Sequence, residues 1–165
     1  MKKHLYFICP TDYLERVINN TFKEDNYYCS SLGNSVVFDS EMVTEINGLI
    51  EAKNIREITF ILSDNNRIVL DALRDYDSIK VSGLNKFYNE IAREKERSKV
   101  LWQMCDLRIP ILSYYLNVKI NELLPRISRW MIDQVKVNSK IYNTSRAVFR
   151  EVHSDLFGRE FLNLN

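Results

Sequence analysis

Residues 57–63, EITFILS, carry no charge beyond the leading Glu57, and Ile58, Phe60 and Leu62 alternate with Thr59 and Ile61 rather than with solvated groups. A strand with one wet face reads as apolar and polar in alternation. A strand that is uncharged on both faces belongs in the middle of a parallel sheet, with helices above and below it. The run ends in Ser63-Asp64-Asn65-Asn66-Arg67, after which Ile68, Val69, Ala72 and Leu73 recur at helical spacing. A buried strand passing straight into a helix is the unit of open α/β proteins, and the junction at its carboxyl end is where such proteins hold ligands.

The rest of the first half repeats this unit. Residues 5–9, LYFIC, predict a short buried strand, and Thr11 is placed to cap a helix in which Tyr13, Leu14, Val17, Ile18 and Phe22 recur at helical spacing. Residues 27–32 predict a second strand ended by Gly33-Asn34. Asp39-Ser40 then opens a helix with Met42, Val43, Ile46, Leu49 and Ile50 in one apolar stripe. Repeats of strand and helix require crossover connections and therefore a parallel sheet.

The second half changes character. Residues 82–107 carry a long helical pattern whose charged middle, 93–99, reads as a solvated face with pairs such as Glu90–Arg93 and Glu94–Arg97; Pro110 is expected to end this element. Residues 111–124 predict an amphipathic helix stopped near Pro125. Residues 133–143 and 146–152 predict two strands joined by a turn around 143–145, and the apolar tail, 157–165, is expected to pack on a neighbour. The sum is one α/β domain over 1–165, in three layers. Its central sheet is mostly parallel, ordered 2-1-3-4, with a last antiparallel edge strand.

Composition narrows the function. With 23 basic against 22 acidic side chains in 165 residues, the chain lacks the positive excess that neutralises phosphates, which argues against nucleic acid and against a charged membrane surface as partners. No apolar stretch approaches the roughly 20 residues of a membrane helix. Cys9, Cys29 and Cys105 form no CxxC pair, so a reducing, cytoplasmic setting is expected.

Five segments in order resemble the β-class carbonic anhydrases. That family carries Gly-His-(Ser/Thr)-Asp-Cys-Gly after a central strand, and LSDNNR (62–67) falls on it with Ser63 at the histidine position and Asn66 at the cysteine position. Its earlier Cys-x-Asp-Ser-Arg is matched by CPTDY (9–13), which keeps Cys9 but has Thr11 at the Asp position and Tyr13 at the Arg position. Gly33-Asn34, Asn117-Val118 and Tyr142-Asn143 are similar to three further family segments, with Asn143 at a usual Asp. The resemblance implies a three-layer carbonic-anhydrase-like fold and a homodimer. It also implies a lost metal site, since one thiol with a neutral hydroxyl and an amide is a poor zinc donor set. No cofactor and no catalytic residue are expected, and the chain reads as a binding or scaffold protein, the alternatives being an enzyme or small-anion binder that reuses the old pocket and a hydratase with a rearranged metal site.

Adjacent first and third strands place Cys9 and Ser63 at one end of the sheet. The candidate pocket there comprises Cys9, Thr11, Asp12, Asn34, Ser63, Asp64, Asn66 and Arg67, with Ser35 and Asn65 nearby. Two readings stand side by side. In one, Ser63, Asp64 and Asn65 cap the following helix and Cys9 is a small buried apolar group. In the other, Arg67 and helix N–H groups hold a small anion. A nucleophilic Cys9 lacks a histidine partner, because His4 lies at the far end of its strand, about 16 Å away at roughly 3.3 Å per residue, and His153 lies beyond the last strand.

Overall fold

The computed structural model describes residues 2–73 and 108–152, with isolated helical positions at 85, 88, 89, 92, 93 and 96. Five strands form one sheet among them: β1 (Lys3–Ile8), β2 (Asp25–Ser30), β3 (Glu57–Ser63), β4 (Lys136–Asn143) and β5 (Val148–Glu151). Their order is β2-β1-β3-β4-β5; the first three pairings are parallel and β4–β5 is antiparallel. This is the expected mostly parallel sheet with an antiparallel edge. All seven residues of β3 are buried, as its two-faced apolar pattern requires.

The helices are α1 (Glu15–Thr21), α2 (Ser40–Lys53), α3 (Arg67–Leu73), α4 (Arg108–Leu123) and α5 (Arg129–Ile132). Strand alternation sends Leu5, Phe7, Ile58, Phe60, Leu62 and Ile141 into a large core with Ile46 and Ile50 of α2 and Ile111, Tyr115 and Leu116 of α4. The opposite face buries Tyr6, Ile8 and Ile61 under Leu14 and Ile18, beside Phe22, Tyr142 and Phe149. The three layers are therefore unequal. Phe7 and Phe60 stack at 4.6 Å between centroids at the centre of the larger core, and Phe38 meets both edge-on.

Several boundaries depart from the sequence reading. Thr11 does not cap α1: Pro10–Asp12 forms a 3-10 turn, Tyr13 takes a left-handed backbone (φ 53°), and the helix begins at Glu15. Proline fixes its own φ and starts a separate turn, so the helix opens four residues after the expected cap. β2 stops at Ser30 rather than residue 32, because Gly33 (φ 59°) and Asn34 (φ 56°) wind a left-handed turn that no strand accommodates. Pro110 is helical, the third residue of α4 as described, and the element it was expected to end lies outside the described residues. β4 starts at Lys136, since Arg129–Ile132 are helical. The expected helix over 82–107 and the tail lie outside the described residues, apart from the isolated positions above. No helix among the described residues is long and apolar enough to cross a membrane.

Asp39 does cap α2: its carboxylate accepts from the Met42 N–H at 2.9 Å. Replacing it, Asp39→Ala, should cost about 1 kcal/mol, whereas Phe60→Ala should cost about 3–5 kcal/mol by opening the stacked core. Urea unfolding with an unchanged m-value checks both.

Candidate functional site

β1 and β3 stay paired only as far as Phe7 and Phe60, and beyond that the two strands part. In an open sheet this parting is the ligand crevice. Here the chain's own side chains bridge it. Asn34, fully buried and left-handed, donates its Nδ2–H to the Ile61 carbonyl at 2.9 Å, and its own carbonyl accepts from the Tyr115 hydroxyl at 3.0 Å. Asp12, at the end of the turn after β1, accepts from the Ser63 N–H at 2.9 Å and from Asn66 Nδ2 at 2.8 Å. Burial pushes the Asp12 carboxyl above its usual range; those two donors pull it back, and the Asp64 charge adds to the rise.

The residues at the three metal-ligand positions are each committed elsewhere. Cys9 is fully buried, and its sulfur accepts from the Gly33 N–H at 3.1 Å and pairs with Thr11 Oγ1 at 3.1 Å. Ser63 Oγ accepts from the Asn65 N–H at 3.3 Å and bonds to Asn65 Oδ1. Asn66, rather than the trio Ser63, Asp64 and Asn65, is the cap of α3: its Oδ1 accepts from the Val69 N–H at 3.0 Å. Zinc needs thiolate, imidazole or carboxylate donors with free lone pairs, and a thiol, a hydroxyl and an amide already bonded within the protein do not fit it. Among the described residues no three His, Cys, Asp or Glu side chains gather into a set that could hold a metal.

Of the residues expected to form one pocket, Thr11, Asp12, Ser63 and Arg67 line a common cavity, and Cys9, Asn34, Asp64 and Asn66 do not. Cys9 packs with the large core, while Ser63, in phase with Ile61, faces the other side. Thr11, Asp12 and Ser63 line a cavity of about 470 Å³, with Tyr13, Asn65, Arg67 and Thr144 completing it. Tyr13 is 80% exposed. Cys9, Asn34 and Asn66 are buried and do not line this cavity. Asp64 turns away to fasten the β4–β5 turn, accepting from Asn143 Nδ2 at 2.8 Å, the Thr144 N–H at 3.1 Å and Thr144 Oγ1 at 2.9 Å. It borders a smaller cavity of about 190 Å³ together with Arg108 and Asn143.

Sequence reasoning missed Asp12 as the bridge, because Thr11 occupies the position matched to the family's aspartate. It also missed Tyr13 as cavity wall and Thr144 as the partner of Asp64. The Asn-Thr-Ser run after a strand signalled a turn but not what the turn would grip.

The sequence matches no protein-family model and no curated protein. The fold does match solved structures. One of two tetrameric β-carbonic anhydrases from the filamentous ascomycete Sordaria macrospora superimposes with a TM-score of 0.71 at 16% identity, covering 92% of this chain and 80% of that one. The β-carbonic anhydrase CafD of Aspergillus fumigatus gives 0.71 at 10% identity, covering 93% and 90%. A Coccomyxa β-carbonic anhydrase in complex with acetazolamide gives 0.60 at 13% identity, covering 92% and 72%. Sheet order, the antiparallel edge and these superpositions agree: the chain has the β-carbonic anhydrase fold.

Proposed function

We propose that this chain is a zinc-free, non-catalytic protein on the β-carbonic anhydrase fold, a single domain that acts by binding and works as a homodimer in a reducing, cytoplasmic setting. The observation that carries this reading is the Asp12 bridge. A carboxylate that accepts from the Ser63 N–H and from Asn66 Nδ2 spans the crevice where a metal and its water would sit, using groups that would otherwise face them. A metal-bound water of lowered pKa is the nucleophile in zinc hydration chemistry, and among the described residues no group of His, Cys, Asp or Glu gathers to hold that metal. Self-association is supported by the tetrameric state of the Sordaria macrospora enzymes. Cys9 and Cys29, both unpaired, support the reducing setting.

A second reading, a small-anion site, is favoured by the direction of the hydrogen bonds lining the larger cavity. Each Asp12 oxygen already accepts one bond from within the protein. Ser63 gives its hydroxyl proton to Asn65 Oδ1, which leaves the Asn65 NH₂ group turned to the cavity. Among the described residues the Arg67 guanidinium has no partner and lines the same cavity. With spare donors on Asn65 and Arg67, the lining suits a carboxylate or another small oxyanion.

Elemental analysis of untagged protein purified without chelator should find far less than one zinc per chain, and stopped-flow CO₂ hydration should match the buffer rate. One zinc per chain would overturn the first reading. Light scattering should return twice the chain mass. Acetate or phosphate at millimolar concentration should raise the melting temperature, and Arg67→Gln should abolish that rise while leaving the anion-free stability within about 0.5 kcal/mol of the original. Asn66→Ala should lose about 2 kcal/mol, from the α3 cap and from one donor to a buried carboxylate; urea unfolding measures it.

A further inference from the structure

At the opposite end of the sheet, on the face that carries α1, a chain of polar side chains crosses three strands. His4, 4% exposed and stacked on Tyr6 at 4.0 Å between ring centroids, places Nε2 2.7 Å from Thr59 Oγ1 and Nδ1 3.3 Å from Glu24 Oε2. Thr59 Oγ1 bonds to Asn138 Oδ1, Asn138 Nδ2 donates to Glu57 Oε1 at 2.6 Å, and Lys2 pairs with Glu57 Oε2.

The donors and acceptors in this chain have only one consistent order. A carboxylate accepts and never donates, so Asn138 must turn its NH₂ toward Glu57 and its oxygen toward Thr59. Thr59 has a single hydroxyl proton, and Asn138 Oδ1 takes it. Thr59 Oγ1 can then only accept from His4, so the Nε2 of His4 carries a proton. The connectivity Glu24–His4–Thr59 is that of a nucleophile–base–acid triad, but its polarity is reversed. In a working triad the histidine Nε2 accepts from the hydroxyl and Nδ1–H donates to the carboxylate. Thr59, fully buried, has no proton to give to His4 and no opening to a substrate.

The geometry points to an acid-sensitive latch at His4: its neutral form keeps the proton on Nε2 and leaves Nδ1 bare against the Glu24 carboxylate, and a second proton at Nδ1 completes the link. Glu24 lies between α1 and β2, immediately before the edge strand, so what the second proton fastens is the entry to β2. The charged groups facing His4 are Glu24 from that link, Glu57 from β3 and Lys2 ahead of β1. β2 itself offers the uncharged Asn26 at the paired position. Burial is the largest influence on His4 and lowers its proton affinity; Glu57 and Glu24 act against it, and Lys2 with it. Because burial outweighs the facing carboxylates, the unfolded chain takes up this proton more readily than the folded one, so closing the Glu24 link is local and the fold as a whole loses stability. Stability from neutral His4 is therefore complete above about pH 6.5 and is lost as pH falls from there through the lower folded midpoint.

The test is the ring-nitrogen NMR spectrum of the ¹⁵N-labelled full chain, with His153→Gln to assign His4. At pH 8 the unmodified chain should show His4 protonated at Nε2 and bare at Nδ1, with Nδ1 titrating at a midpoint below about 6.5. Glu24→Gln should lower that proton affinity a further tenfold, roughly, by removing the facing charge. Thr59→Val should move the neutral proton to Nδ1, since Nε2 loses its acceptor. A neutral His4 protonated at Nδ1 in the unmodified chain would overturn the proposal, as would a midpoint that Glu24→Gln leaves in place. Should Thr59→Val fail to fold, the spectrum of the unmodified chain still decides.

Discussion

Strand β3 is hydrogen-bonded on both edges and buried on both faces, and every other described element takes its place from it. β1 pairs on one side through His4–Phe7 and β4 on the other through all seven residues. Because the side chains of β3 alternate, one strand sets the character of both layers: Ile58, Phe60 and Leu62 anchor the larger core, while Thr59 and Ile61 look toward the face with α1. A one-residue slip would exchange these sets and drive Thr59 and Ser63 into an aromatic core, so the register is held by the cost of burying unpaired hydroxyls.

The same strand fixes where chemistry could occur. At its carboxyl end β1 departs, which exposes the Ile61 carbonyl and the Ser63 N–H to whatever occupies the crevice. A buried backbone group left without a partner costs about 1–3 kcal/mol, so something must satisfy both. Asn34 and Asp12 do so from within the chain. This accounts for the left-handed backbone at Asn34: the strain of φ 56° is offset by an amide that reaches a carbonyl no strand can reach. Within the β-carbonic anhydrase fold the crevice is thus bridged by neutral bonds and one internal carboxylate.

Much of this was legible in the sequence. The two-faced pattern of EITFILS located the central strand, the Asp39 cap and apolar stripe located α2, and the ordered resemblance gave the strand order, because these signals are local and periodic. The boundary errors share a cause. The limits at Thr11 and Leu32 were read from propensity, whereas the chain obeyed single backbone torsions: the fixed φ of Pro10 and the positive φ of Tyr13, Gly33 and Asn34. The candidate site was legible as a region but not as a wiring. Residue types pointed to Cys9, Ser63 and Asn66 as former ligand positions, yet which face each side chain took, and that Asp12 would join Ser63 to Asn66, depend on contacts across 51 and 54 residues of chain that no local pattern encodes.

The two ends of β3 show why a buried polar group is informative only when its direction is known. At the carboxyl end Asp12, Ser63 and Asn66 close on one another, and the donors left over belong to Asn65 and Arg67 at the cavity wall. At the amino end the bonds run in series from Lys2 and Glu57 through Asn138 and Thr59 to His4, and the one place where the series fails to close is Nδ1 against Glu24. Lys2 and Asn138 hold Glu57 below the usual carboxylate range despite its burial, so the acceptor that orients the series stays ionised. An ionised terminus fixes every proton behind it, and a site chosen by residue type alone, whether a vacated metal centre or a triad, would have been read with the opposite polarity.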